Sequence, residues 1–248
     1  MNQAVKQLLC QYHIFAVFIG VLVWCGDLFA EENEKSIQYE ITPYLWAASF
    51  SGTTATGGEE SPPIDSDYSF FSLDNLDGVA SATFTARGQQ WGFLFDFLKV
   101  AFEDKFLDES FLETTTRLEG LVMEIAGTYR PKSLEYLDII AGIRHQDIDV
   151  KLTIFNQAPE GSVDWYDPFI GLIYARPLSK RFYMSLRGDV GGGQSDLATN
   201  AEAMFRYQFN KMFSAKFGYR YLKVQFTDSD FIYDVSLDGF LFGLGIRF

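Results

Sequence analysis

The chain closes on Gly239-Phe240-Leu241-Phe242-Gly243-Leu244-Gly245-Ile246-Arg247-Phe248. In an extended strand, Phe240, Phe242, Leu244, Ile246 and Phe248 share one face. Gly239, Leu241, Gly243, Gly245 and Arg247 share the other. A strict two-residue period marks a strand whose two faces meet different surroundings. The same pattern recurs upstream. Phe213, Ala215, Phe217, Tyr219 and Tyr221 alternate with Ser214, Lys216, Gly218 and Arg220. Ala201, Ala203, Phe205, Tyr207 and Phe209 alternate with Asn200, Glu202, Met204, Arg206 and Gln208. Trp91, Phe93, Phe95 and Phe97 alternate with Gly92, Leu94, Asp96 and Leu98, and Leu137, Ile139, Ala141 and Ile143 face away from Asp138 and Arg144. No helical stripe persists beyond Ser36.

These stretches predict ten strands, at about 36–48, 78–87, 90–102, 115–130, 134–148, 165–177, 181–190, 199–210, 213–226 and 236–248. Eight is the alternative, because 78–87 carries the faintest alternation. Short turns (Arg87–Gln90, Arg130–Ser133, Leu178–Lys180, Asn210–Met212) alternate with longer polar connections at about 49–77, 103–114, 149–164, 191–199 and 227–234. An even strand count with this alternation is the pattern of an all-β, antiparallel, up-and-down transmembrane barrel with both termini at the short-turn end.

Composition is consistent with that reading. The chain has 248 residues, 48% of them apolar, which argues against disorder. Aromatics make up 17%, with 25 Phe and 13 Tyr. The formal charge of −13, from 33 acidic and 20 basic residues, argues against a nucleic-acid partner. Mean hydropathy is near zero, which argues against a bundle of membrane helices.

The N-terminus carries Lys6 and an apolar run from Ile14 to Cys25, too short to span about 30 Å as a helix. It fits the apolar region of a secretory signal peptide, with cleavage expected after Ala30 and the barrel occupying 31–248. An uncleaved anchor and a lipoprotein signal ending at Cys25 are alternatives, although Trp24 fits the latter poorly. Cys10 and Cys25 both lie in this segment, so the mature chain is expected to have no thiol chemistry and one histidine, His145.

Alternation alone does not say which face meets lipid. The non-aromatic face carries mid-strand charges and the glycines Gly92, Gly142, Gly171, Gly218 and Gly243, which suit a crowded lumen. The aromatic face carries Trp91, Tyr129, Tyr207 and Tyr219 near strand ends, as interfacial girdles do. The chain resembles the small, mostly uncharacterised outer-membrane β-barrel proteins of Gram-negative bacteria, of about 250 residues. The resemblance rests on Thr42–Ala47, Leu73–Asp77, Trp91–Asp96, Asp167–Gly171, Leu186–Gly192, Gly218–Leu222 and Gly243–Phe248. It implies location in the cell outer membrane, with membrane lipid and the barrel assembly machinery as partners. It also implies an assembly signal made of Phe240, Phe242, Leu244, Ile246 and Phe248, and no catalytic motif.

With the aromatic face outward, the lumen is expected to hold the acids Glu40, Asp96, Glu124, Asp138, Asp167, Asp189 and Glu202. It is also expected to hold the bases Arg144, Arg187, Arg206, Lys216, Arg220 and Arg247. Seven acids against six bases predict ion-pair networks, because unpaired charge in a narrow space is costly. The expected function is a narrow or plugged barrel, structural or porin-like toward small solutes. A surface protein acting through long acidic loops is the alternative. A rim hydrolase at His145 is a third reading, disfavoured because His145 shares the outward parity of Ile143 and no nucleophile elbow is present. No enzyme activity, cofactor or metal is expected. Gly57–Asp67 is acidic but lacks a cation-loop spacing, and Phe70–Leu76 has the spacing of a short helix that could plug the mouth.

Overall fold

The computed structural model describes residues 37–56, 64–68, 76–107, 113–154, 160–228 and 231–248. Eleven strands lie within them: β1 (Gln38–Thr56), β2 (Ile64–Tyr68), β3 (Leu76–Arg87), β4 (Trp91–Leu107), β5 (Glu113–Tyr129), β6 (Leu137–Ile154), β7 (Glu160–Pro177), β8 (Phe182–Gly191), β9 (Leu197–Gln208), β10 (Phe213–Asp228) and β11 (Phe231–Arg247). From β3 onward each strand pairs antiparallel with the next, and β11 returns to β1, with Glu40 opposite Arg247 and Thr56 opposite Phe231. Ten strands thus form a closed wall. β2 is a short addition: it pairs with Phe50–Thr54 of β1, above the level where β3 takes Gln38–Pro43. β3 pairs with β4 from Arg87–Gly92 to Leu76–Phe102, so the eight-strand alternative is wrong.

The short turns fall at one end, at 88–90, 130–136, 178–181 and 209–212. The other end departs from expectation. β1 runs to Thr56, β4 to Leu107 and β6 to Ile154, while β7 starts at Glu160 and β11 at Phe231. The stretches expected as loops at 49–77, 103–114, 149–164 and 227–234 are therefore largely strand. The candidate plug at 70–76 lies outside the described residues except for Leu76, which opens β3.

The reason is an inversion of polarity along the wall. In β10 the outward residues are Phe213, Ala215, Phe217, Tyr219 and Tyr221, then Lys223, Gln225 and Thr227. The inward residues are Ser214, Lys216, Gly218 and Arg220, then Leu222, Val224 and Phe226. In β6, Ile139, Ala141 and Ile143 give way outward to Asp147 and Asp149, while inward Arg144 gives way to Gln146 and Ile148. The alternation continues but changes sign. A chain that stays in the wall while leaving an apolar surround for water must do this, since its inner face then becomes the only dry one.

The outer surface below the inversion is apolar and open. Phe242, Leu244, Ile170, Leu172, Phe217 and Ile125 are all about half exposed or more. Trp91 packs at a tilt against Tyr129 and Phe182 against Tyr207 near the short-turn end; Tyr219 meets Phe240 edge-on near the inversion. Inside, the upper layer is an apolar core of Trp46, Leu98, Val122, Trp165, Leu222, Val224, Tyr233 and Val235. The β8–β9 hairpin is short, stopping at Gly191 and Leu197, so β7 and β10 rise above it. Trp165 of β7 bridges that gap, its ring 5.2 Å from Phe226 of β10 and 5.7 Å from Tyr233 of β11.

Candidate functional site

Directly below the apolar core, charged side chains cross the lumen. Arg144 donates from Nε to Glu124 Oε1 at 2.8 Å and from Nη2 to Asp189 Oδ1 at 2.7 Å. Arg187 reaches the other oxygen of each acid, Glu124 Oε2 at 2.8 Å and Asp189 Oδ2 at 2.7 Å. Arg220 donates to Glu124 Oε1 at 3.0 Å and Asp96 Oδ2 at 3.2 Å. Asn200 closes the circuit by donating to Asp189 at 2.9 Å and accepting from Arg220 Nε at 2.9 Å. Thr83 and Tyr44 donate to Asp96 at 2.6 and 3.1 Å. Three guanidiniums meet three carboxylates here, drawn from β4, β5, β6, β8 and β10. Glu202 sits beside them, opposite Arg187 and Arg220 in the two strand registers. The arginine faces are covered as well: Arg144 and Arg187 lie over the Phe169 ring and Arg220 over Trp46.

Parity explains why these residues meet. Asp96 and Glu124 are register partners, as are Glu124 and Arg144, and Arg144 and Asp167. Each occupies an inward position next to its neighbour, so Asp96, Glu124 and Arg144 come together without any loop. Asp167 has a different partner from the rest. It accepts from Ser195 N at 2.9 Å and Ser195 Oγ at 2.7 Å, which pins the β8–β9 connection inward.

Below the ring, a cavity of about 680 Å³ opens at the short-turn end. Glu40 of β1 is shared by three cations, Lys216 Nζ at 2.5 Å, Arg247 Nη2 at 3.0 Å and Arg206 Nη1 at 3.7 Å. Lys216 also donates to Thr42 Oγ1 at 2.9 Å. Asp138 is held by Arg130 at 2.7 Å and by Arg87.

All thirteen charged residues assigned to the lumen by parity point inward, and the structure gathers them into the ring (with Glu202 beside it), the Glu40 and Asp138 clusters, and the Asp167 clasp. Sequence reasoning missed Arg87 and Arg130, which stand at the ends of β3 and β5. Extending the inward parity of Thr83 and Thr85, and of Ala126 and Thr128, by one step would have found them. They change seven acids against six bases into seven against eight.

His145 faces outward. Its ring stacks on Tyr166 at 4.3 Å between centroids, and its Nδ1 lies 3.2 Å from the Trp165 carbonyl oxygen. Among the described residues no serine or carboxylate hydrogen-bonds it, and no cluster of three or more His, Cys, Asp or Glu is placed to hold a metal ion. The acidic segment Gly57–Asp67 lies outside the described residues up to position 63. The segment at 1–30, expected to be a signal peptide, lies wholly outside them.

No protein-family model matches the chain, and no curated protein sequence is similar to it. Solved structures of similar form are bacterial β-barrels. The translocator domain of the autotransporter NalP from Neisseria meningitidis is 11% identical, with 98% of each chain covered and a TM-score of 0.49. The outer-membrane protease OmpT from Escherichia coli is 10% identical over 89% of this chain and 99% of its own, with a TM-score of 0.45. Ail, the attachment invasion locus protein of Yersinia pestis, is 12% identical over 86% of this chain and 99% of its own, with a TM-score of 0.40.

Proposed function

We propose that this protein is an outer-membrane barrel whose lumen is sealed and whose role is structural rather than conductive. The observation that carries this reading is the ring around Arg144 and Glu124, both with no exposed side-chain surface, lying directly under the Trp165 core. A permeating ion would have to break a charge layer whose three guanidiniums each bond two carboxylates and then cross an apolar one. The outward apolar band with its Trp and Tyr margins supports a membrane setting, and the final strand with its aromatic face supports export to the barrel assembly machinery. The short-turn end then faces the periplasm. The proposal includes no enzymatic step and no cofactor.

Planar-bilayer recording tests this directly. The purified barrel is expected to give no step-like current at moderate voltage; reproducible single-channel steps would overturn the sealed reading. Heat-modifiable gel migration and recovery in the outer-membrane fraction test the location.

One observation favours a second reading, a surface protein that meets a partner at the long-loop end. Above the apolar band the wall presents Glu119, Asp147, Asp149, Asp164, Asp234 and Asp238 outward, with Lys99 and Lys223 engaged to Glu119 and Asp234. Among the described residues this collar is mainly acidic and stands clear of the apolar band. Removal of 57–63 takes away no residue of β1 or β2. Unchanged binding of every cell-surface ligand after that removal and after neutralising the collar would end this reading.

A further inference from the structure

The cavity at the short-turn end is charged in a way the ring above it is not. Within the ring three guanidiniums face three carboxylates, with Glu202 beside them. Below it, among the described residues, Arg87, Arg130, Arg176, Arg206, Lys216 and Arg247 meet Glu40, Asp138 and Glu135, a surplus of three positive charges in one open-ended space. Glu40 has two carboxylate oxygens for three cations. Lys216 and Arg247 take them at 2.5 and 3.0 Å. Arg206 is left at 3.7 Å, stacked on Tyr183 at 4.2 Å, and its buried Nε has no hydrogen-bond partner among the described residues. A buried guanidinium donor without an acceptor is expensive, and satisfied structures rarely keep one.

We propose that this vestibule is a binding site for a small, multiply charged oxyanion, a phosphate- or carboxylate-bearing solute that enters from the periplasmic end. Arg206 supplies the unsatisfied donor, and Lys216 and Arg247 flank it. Arg87, at the end of β3, and Arg130, just past β5, stand across the lumen. The volume of about 680 Å³ falls within the range of small-molecule sites. An anion there neutralises the surplus and gives Arg206 its missing acceptor, in a lumen where field lines are confined by low-dielectric walls. The ring forms the floor of the site and stays intact when the anion binds. The inference does not depend on the sealed reading: a conducting barrel with this vestibule would still bind the anion.

The test uses the mature barrel, folded in dodecyl maltoside at low salt and titrated calorimetrically with citrate and, separately, with inorganic phosphate. Saturable binding near one per barrel is expected for at least one of them, weakening as sodium chloride is raised. Arg206→Gln is expected to weaken it at least tenfold, and Arg206→Gln with Arg247→Gln to abolish it. Lys223→Gln, on the outer surface, is expected to leave it unchanged. Arg206 forms no hydrogen bond to a carboxylate, so the single variant should fold, as judged by heat-modifiable migration. Repeating the phosphate titration in discs of anionic and of zwitterionic phospholipid separates the sources. Loss of the signal only in anionic discs identifies a lipid headgroup as the occupant, and retention in both identifies a free solute. Absence of saturable binding by both anions, or equal binding by wild type and Arg206→Gln, would overturn the proposal.

Discussion

Arg144 of β6 and Asp189 of β8 meet at 2.7 Å across two strand positions, and neither side chain has any surface exposed to solvent. Neither residue could be left alone in that place. Taking one charge out of water costs several kcal/mol, and only a partner with good geometry offsets it. Arg144→Met removes one of the ring's three cations and leaves Glu124 to Arg187 and Arg220 and Asp189 to Arg187 and Asn200; it is expected to destabilise the barrel by about 3–5 kcal/mol. Arg144→Lys keeps the charge but loses the two-pronged geometry, and should recover only part of that. Urea unfolding followed by gel mobility reads both. By contrast, Lys99→Ala removes an exposed pair with Glu119 at 3.5 Å and should cost less than about 1 kcal/mol.

The inversion in β10 sets the upper limit of the apolar band between Tyr221 and Lys223. Single cysteines carrying an environment-sensitive dye at 217 and 219 should report an apolar setting in bilayers, and those at 223 and 225 an aqueous one. Phe217→Lys should destabilise the barrel by up to about 2–4 kcal/mol, while Gln225→Lys should be close to neutral. Aqueous signals at all four positions would remove the membrane assignment.

Two glycines of one hairpin should behave oppositely. A Cβ on Gly171 would lie 2.2 Å from the Gly188 carbonyl oxygen and 2.5 Å from Asp189 Cβ, whereas one on Gly188 meets nothing within 4 Å. Gly171 points into the lumen beside the ring; Gly188 points outward. Gly171→Ala should therefore cost about 1–3 kcal/mol through overpacking, and Gly188→Ala should be tolerated. Folding yield into detergent is the measurement, and equal yields for the two variants would contradict the close approach.

His145→Ala loses the stack on Tyr166 and should cost no more than about 1.5 kcal/mol. Any hydrolytic activity found for the protein should be the same in the variant. A loss of activity with normal folding would revive the rim-enzyme reading.

Much of this molecule was legible from the two-residue period. The ten wall strands, the outward aromatic band and the inward position of thirteen charged side chains all follow from parity, because a strand leaves each side chain only two directions. The upper third of the barrel was not legible in the same way. There the apolar positions move to the opposite parity, as between Tyr221 and Leu222, and a pattern that changes sign looks like a loop when read with a fixed face. Arg87 and Arg130 escaped for a related reason, since they stand at strand ends where a turn is the simpler reading.

What only the tertiary structure decided is who meets whom. Parity puts Glu124 and Arg144 inside, and nothing in the spacing says that Arg187 and Arg220 converge on the same carboxylate from strands 63 and 96 residues away. Barrel closure, with β11 returning to β1, sets those distances and brings Arg206, Lys216 and Arg247 around Glu40. The sequence by itself determined which side chains enter the lumen; the closed wall determined that three carboxylates are matched in the ring while six cations meet three acids beneath it. The physical reason is that facing is a local property of an extended backbone, whereas pairing across a lumen depends on the register of every strand between the partners.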